Sequence, residues 1–202
     1  MNYDLEMENQ MKQFKEGTKV LLHACCAPCS SAVLERIASY FEVTILYYNP
    51  NITKEEEYQK RIDELKRLIS EIHPKYKVSL MEGRYDPNEF FEMAKGLEEE
   101  PERGKRCYKC YNLRLEETAK VAEELGFPLF CTTLTLSPHK NATWINEIGE
   151  RLDKEYEPTY LYSDFKKKNG YKRSIELSKE YNLYRQDYCG CIYSLRDKHI
   201  IE

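Results

Sequence analysis

Short apolar runs alternate with longer amphipathic stretches along the chain. Lys19–His23 (KVLLH), Val43–Tyr48 (VTILYY), Lys77–Met81 (KVSLM), Pro128–Leu136 (PLFCTTLTL) and Thr159–Tyr162 (TYLY) are short, apolar and rich in β-branched or aromatic residues. Runs of that kind suit strands buried on both faces. Between them the apolar positions recur at helical spacing. Ser30–Tyr40 opens on serine caps and carries Val33, Leu34, Ile37 and Ala38 on one face. Thr53–Ile72 starts with Thr53 and Glu56 at capping-box spacing and continues through Tyr58, Ile62, Leu65, Leu68, Ile69 and Ile72. Asn88–Leu97, Tyr111–Leu125 (stopped by Gly126 and Pro128), Asn141–Tyr156 and Tyr171–Tyr181 complete the helices.

This alternation predicts an α/β fold, a three-layer sandwich with helices on both faces of a parallel sheet. Ligands in such sheets bind beyond the carboxyl ends of the strands. No linker, repeat or low-complexity stretch divides residues 1–202, so one domain is expected. The polar stretch 98–111 breaks the alternation and reads as a functional loop or insertion. Residues 187–202 form a cysteine-bearing C-terminal segment.

Composition narrows the function. The chain has 202 residues, 41% of them hydrophobic, which is enough for a packed core. A net charge of −4 gives no bulk attraction to nucleic acid, so such a partner needs a local basic patch. Residues 1–10 lack the basic start and apolar run of a signal peptide. No stretch approaches the ~18–20 apolar residues of a membrane span. A cytoplasmic protein is expected, without a membrane partner. In that compartment eight cysteines point to metal ligands or redox groups rather than structural disulfides.

Seven of the eight fall in three clusters. Cys25, Cys26 and Cys29 follow the first strand, with Cys29 near a helix N-terminus, where the dipole favours a thiolate. Cys107 and Cys110 form a CxxC before a helix, a spacing that lets two thiolates reach one metal. Cys189 and Cys191 form a CxC around Gly190, able to turn both sulfurs to one side of a bend. Cys131 lies inside an apolar strand and reads as core. One zinc or one 4Fe–4S cluster takes about four thiolates. The surplus suggests a second metal or redox-active thiols beside the first centre. Asp187, two residues before Cys189, and Asp164 could add a hard oxygen ligand suited to iron.

Other polar groups surround these clusters. Ser137, His139 and Lys140 follow the fourth strand and open a helix, and Lys140 there suits a phosphate. Lys166, Lys167, Lys168 and Arg173 form one basic run. Arg103, Lys105, Arg106, Lys109 and Arg114 form another around the CxxC. Tyr108, Tyr111 and Tyr171 interleave them, and basic groups with aromatic faces suit an RNA loop with splayed bases.

Together, HxCCAPCS after strand one, CxxC, TTLxxSPHK, DFKKKxGYxRS and YCGCxYS resemble the QueH-type epoxyqueuosine reductases, from about Lys19 to Ser194. The resemblance implies an adenine nucleotide α-hydrolase-like (HUP, Rossmann-like) fold. It implies reduction of epoxyqueuosine at the tRNA wobble position to queuosine, the last step of queuosine biosynthesis, without cobalamin. It further implies a 4Fe–4S cluster with an adjacent mononuclear iron, and an external electron donor. The ligands carried over by motif are Cys25, Cys26, Cys107, Cys110, Cys189 and Cys191, with Asp187, Cys29 and Asp164 as further candidates. Cys25 and Cys26 are the expected catalytic pair. His23, His139 and tyrosines are candidate proton donors. Ser137, His139, Lys140, Lys166, Lys167, Lys168 and Arg173 are the expected substrate and tRNA contacts.

Two other readings compete. One is a zinc-binding RNA module without catalysis. The other is a nucleotide-activating tRNA-modifying enzyme of related fold, which would need a Gly/Ser-rich phosphate loop where this chain has Cys-Cys-Ala-Pro-Cys.

Overall fold

The computed structural model describes residues 1–201, with side chains through Asp197. Glu202, the last residue of the expected C-terminal segment, lies outside the described residues.

Five parallel strands form one sheet. They are β1 (Lys19–His23), β2 (Glu42–Tyr47), β3 (Val78–Glu82), β4 (Leu129–Thr132) and β5 (Thr159–Tyr160), in the order β3-β2-β1-β4-β5. Register runs Lys19–Glu42 through His23–Leu46 between β1 and β2, and Val20–Leu129 through His23–Thr132 between β1 and β4. The chain winds outward from β1 on one side and then returns to the other. The switch point, where α/β sheets open a crevice for ligands, therefore lies at the carboxyl ends of β1 and β4.

Side chains alternate along the strands, so each face meets its own helix layer. Val20, Leu22, Val43 and Ile45 pack with α1 (Tyr3–Met11), α2 (Ala27–Ile37), α3 (Glu55–Glu71) and α7 (Gly170–Glu180) through Met7, Leu34, Ile37, Ile62, Leu65 and Leu177. Leu21, Leu46 and Phe130 face α5 (Lys105–Glu124) and α6 (Ala142–Glu155) through Leu115, Ala119, Ile145, Ile148 and Leu152. The remaining helices are α4 (Pro87–Ala94) and α8 (Ile192–Ile201). The expected three layers and parallel sheet are present. No helix among the described residues is long and apolar enough to cross a membrane.

The differences from the sequence pattern have local causes. Helix α2 starts at Ala27, not Ser30, because Pro28 supplies the fixed φ of a first turn. Ser30 and Ser31 then bond back to the carbonyls of Cys26 and Pro28 instead of capping. Thr53 does not cap α3, whose N-cap is Lys54; its N–H is given to the Gly190 carbonyl, 3.1 Å away. Glu55, Glu56 and Glu57 in the first turn favour the helix dipole instead. Strand β4 stops at Thr132, where the Thr132 hydroxyl accepts from the Leu134 N–H and starts a 3₁₀ turn over Thr133–Leu136. Helix α5 begins at Lys105, so the CxxC rides its first turns and the stretch 98–111 is non-helical only as far as Gly104.

Candidate metal centre

Strand β1 ends at His23, and the chain then turns into α2 with Cys26 as its N-cap. His23 is fully buried. Its Nε2 lies 3.0 Å from the Tyr48 carbonyl, which can only accept, so Nε2 carries the proton. Nδ1 therefore accepts from the Thr132 hydroxyl at 3.0 Å. Burial, ahead of repulsion from Arg114, lowers His23 to about 4. His23 thus ties β1 to the ends of β2 and β4 as a neutral ring. It does not line the cavity described below, which removes it as a proton donor to a ligand there.

The turn held in this way presents Cys25, Cys26 and Cys29, whose Sγ atoms all lie within 4.8 Å of one another. Cys25 and Cys26 Sγ are 3.7 Å apart. Cys107 sits in the first turn of α5, its Sγ accepting the Arg103 N–H at 3.3 Å, and Cys110 follows on the same helix. Cys189 and Cys191 flank Gly190 just before α8, with sulfurs 3.4 Å apart. Gly190 has φ +114°, in the left-handed region, and an added Cβ would meet Ile52 Cγ1 at 2.8 Å. Only glycine makes that bend without strain, which brings both sulfurs to one side.

The bend is fastened from the opposite wall. Arg61 of α3 is 1% exposed and donates to the carbonyls of Cys189 and Tyr188 at 3.1 and 3.2 Å. Asn51 Nδ2 donates to the same Cys189 carbonyl at 3.4 Å. These residues were not among the sequence candidates. Their signal was present: Arg61 is a charged residue on the apolar stripe of α3, adjoining Ile62 and between Tyr58 and Leu65.

All three clusters open into one cavity of about 380 Å³ at the switch point. Cys25, Cys29, Cys107, Cys110, Cys189 and Cys191 line it, and Cys26 touches both neighbours behind Cys25. All eight cysteines are free thiols. Within each contact group the thiols share protons unequally. Cys25 is drawn well below the usual thiol range, first by S–H donation from Cys26 and Cys29, then by the charges of Lys140 and Arg114. Cys189 falls to about 6, chiefly through donation from Cys191. Cys26 rises to about 11 through its contact with Cys25, and burial pushes Cys110 up to about 11. Both groups thus favour a thiolate, the form that binds metal. Cys131 lies apart in β4, its thiol donating to the Leu161 carbonyl at 3.3 Å.

Residues 20–197 match the family described as epoxyqueuosine reductase QueH. The chain belongs to the QueH family. A Streptococcus pyogenes relative named epoxyqueuosine reductase QueH is 44% identical over 97% of this chain and 79% of its own length. A Staphylococcus epidermidis QueH is 43% identical over 96% of this chain and 84% of its own length. A Thermotoga maritima QueH is 34% identical over 89% and 93%.

In this QueH chain the other sequence candidates divide into two sets. Ser137, His139, Lys140 and Asp187 line the cavity with the cysteines. Arg103 Nη2 lies 2.7 Å from His139 Nδ1; because guanidinium only donates, the His139 proton sits on Nε2. Lys140 is half-buried; desolvation opposes its charge, but the pull of the Cys25 thiolate prevails and holds its ammonium above the usual lysine range. Asp164, Lys166, Lys167, Lys168 and Arg173 lie outside the cavity lining. Asp164 pairs with Lys166 at 2.9 Å, and Lys166 also donates to the Thr135 carbonyl. Lys168 pairs with Glu8, and Arg173 with Glu35 at 2.7 Å. Lys167 is exposed. Of the second basic group, Arg106 and Arg114 are buried in the cavity wall rather than displayed on a surface.

Proposed function

We propose that this protein is an epoxyqueuosine reductase acting on the wobble nucleoside of tRNA, removing the epoxide oxygen to give queuosine. The observation that carries the reading is the convergence of six free thiols, from three separate chain segments, on one cavity at the switch point of a QueH-family chain, with Cys26 a seventh beside Cys25 and Cys29. A phosphate-activating enzyme of related fold would need glycines where Cys25, Cys26 and Cys29 stand.

The donors fit iron. Sulfurs sharing one tetrahedral ion at about 2.3 Å stand about 3.8 Å apart. The Cys25–Cys26 separation of 3.7 Å, within a trio spanning no more than 4.8 Å, matches that spacing. In this reading Cys107, Cys110, Cys189 and Cys191 would hold a 4Fe–4S cluster. Cys25 and Cys26, with Cys29 or Asp187, would hold an adjacent iron. When bound, that centre supplies the electrons and Lewis acidity that removal of an epoxide oxygen requires. The electrons come from an external donor, and cobalamin has no part in the reading.

The chain's own groups do the rest. Half-buried Lys140 and exposed Asp187 both line the cavity, so in this reading a base splayed from the anticodon loop enters past them while its stem stays outside. Lys140, at the start of α6, meets the flanking phosphate. His139, in the cavity lining with Nδ1 fixed by Arg103 and its proton on Nε2, is the proton donor this reading favours. Ser137 holds the His139 N–H at 3.3 Å and keeps that turn in place.

The test is anaerobic purification with iron and sulfide counted, then turnover of epoxyqueuosine-containing tRNA with a chemical reductant. Nucleoside mass analysis is expected to show loss of one oxygen, unaffected by added cobalamin. Zinc without sulfide, or an iron-loaded protein that leaves the nucleoside intact, would overturn the assignment.

A further inference from the structure

Three arginines with almost no solvent contact line the cavity: Arg61, Arg106 and Arg114. Burying a guanidinium is costly unless an anion compensates it. Arg61 has the Glu57 carboxylate at 2.6 Å. Arg106 donates to the carbonyls of Leu97 and Glu98 and has Asp197 at 3.9 Å.

Arg114 differs. It is 3% exposed, and no carboxylate among the described residues lies within ion-pair distance of it. Its Nε donates to the Cys110 carbonyl at 3.2 Å, one helical turn back, and its guanidinium carbon lies 5.8 Å from the centre of the Tyr111 ring. Neither partner carries a full negative charge. It shares the cavity wall with Cys25, Cys110 and Cys189, which belong to all three cysteine clusters. Arginine cannot shed its proton to escape the cost of burial. The charge must therefore be answered by whatever the thiols become.

We infer that Arg114, in the same cavity wall as the thiol groups, is the fixed counter-charge of the metal centre, and that it sets how readily the centre accepts an electron. The inference rests on the reading under Proposed function. An iron–sulfur centre with thiolate ligands is anionic and becomes more so on reduction. A permanent positive charge in the same low-dielectric wall favours the reduced form and raises the potential. Arg114 touches no substrate in this role; it acts as a positioning and tuning residue through the thiolates.

The experiment compares native protein, Arg114→Gln and Arg114→Lys, each purified anaerobically with iron and sulfide counted and each titrated against redox mediators while the cluster's magnetic resonance signal is followed. Arg114→Gln is expected to keep its iron and sulfide but to show a midpoint displaced to more negative potential. Arg114→Lys is expected to stay near the native midpoint. A loaded Arg114→Gln with the native midpoint overturns the inference, as does an Arg114→Lys displaced equally far. Where Arg114→Gln fails to load, Arg114→Lys decides. Loading at the native midpoint supports the counter-charge, whereas failure to load shows that guanidinium packing, not charge, is what matters. Native protein without iron and sulfide overturns both this inference and the reading beneath it. A loaded protein with an unmoved midpoint overturns this inference alone.

Discussion

The Arg61 guanidinium donates to the Cys189 carbonyl at 3.1 Å across a sequence separation of 128 residues. That bond joins the apolar stripe of α3 to a bend near the C-terminus. With the second bond to Tyr188 and the ion pair to Glu57, it leaves the bend little freedom. Arg61→Leu keeps much of the volume but takes the side-chain donor from the Tyr188 carbonyl, leaves the Cys189 carbonyl to Asn51 alone and strips Glu57 of its counter-charge. We expect a loss of about 2–4 kcal/mol in urea unfolding, from the usual cost of buried charge-assisted bonds. Metal content is expected to fall with it, because Cys189 and Cys191 lose their placement. A variant as stable as the native protein, with full metal, would show that the bend holds itself.

Gly190 makes a sharper case. Its φ of +114° and the 2.8 Å approach of Ile52 Cγ1 to a built Cβ leave no room for alanine. Strain of this kind costs about 1–3 kcal/mol. Gly190→Ala is expected to lose iron and sulfide while the sheet and its helices persist, so circular dichroism should change little. Full retention of metal would contradict the role given to the bend.

The two candidate aspartates are separated by their surroundings. Asp187 lines the cavity beside Cys189, whereas Asp164 is engaged by Lys166 outside that lining. Asp187→Asn is expected to lower the iron count per chain and Asp164→Asn to leave it unchanged. Iron analysis of both variants, purified in parallel without oxygen, checks the assignment. The reverse result would place the oxygen ligand at Asp164.

Much of this site could be read from sequence because its chemistry is local. Cys25, Cys26 and Cys29 follow a strand directly, and the ends of parallel strands are where ligands bind, so the spacing alone located them. The Cys107 and Cys189 segments are legible as ligand pairs; that they meet the first group is expected from the number of thiols and the family resemblance rather than from anything local, since nothing local says which loops meet. Arg106 and Arg114 escape a sequence reading for the same reason. A basic residue near a cysteine looks like surface charge until the fold buries it. Helix α1 escaped notice because Met7 is its one buried apolar residue, which leaves no apolar periodicity to find. The basic run 166–173 looked free for RNA because its partners, Asp4, Glu8 and Glu35, lie more than a hundred residues away in sequence.

His23 predicts a pH dependence. Its folded value is near 4, below the 6.5 of a free imidazole, because burial penalises the charged ring. The unfolded chain therefore binds the extra proton more readily. Stability from this group is complete above about pH 6.5, falls as pH drops, and is lost by about pH 4, roughly 3 kcal/mol in all. Gln at position 23 can donate to the Tyr48 carbonyl and accept from Thr132 without titrating. His23→Gln is therefore expected to lose stability less steeply between pH 6.5 and 4 than the native protein. Parallel slopes in urea unfolding would show that His23 is not the group that responds.

Binding of tRNA should depend on the cavity rim rather than on the long basic run. Lys168 and Arg173 are already matched by Glu8 and Glu35, so their charges project little field outward. Lys140 has no carboxylate within ion-pair distance among the described residues, lines the cavity and is only half-buried. Each phosphate contact on a single strand contributes about 0.7 to the slope of log affinity against log salt. Lys140→Gln is expected to reduce that slope by about 0.7 and to weaken binding several-fold at low salt. Arg173→Gln should leave both nearly unchanged, since it removes a charge that Glu35 already neutralises. Measured across several salt concentrations, a slope that falls with Arg173→Gln but not with Lys140→Gln would move the RNA to the face formed by α2 and α7 and away from the cavity mouth.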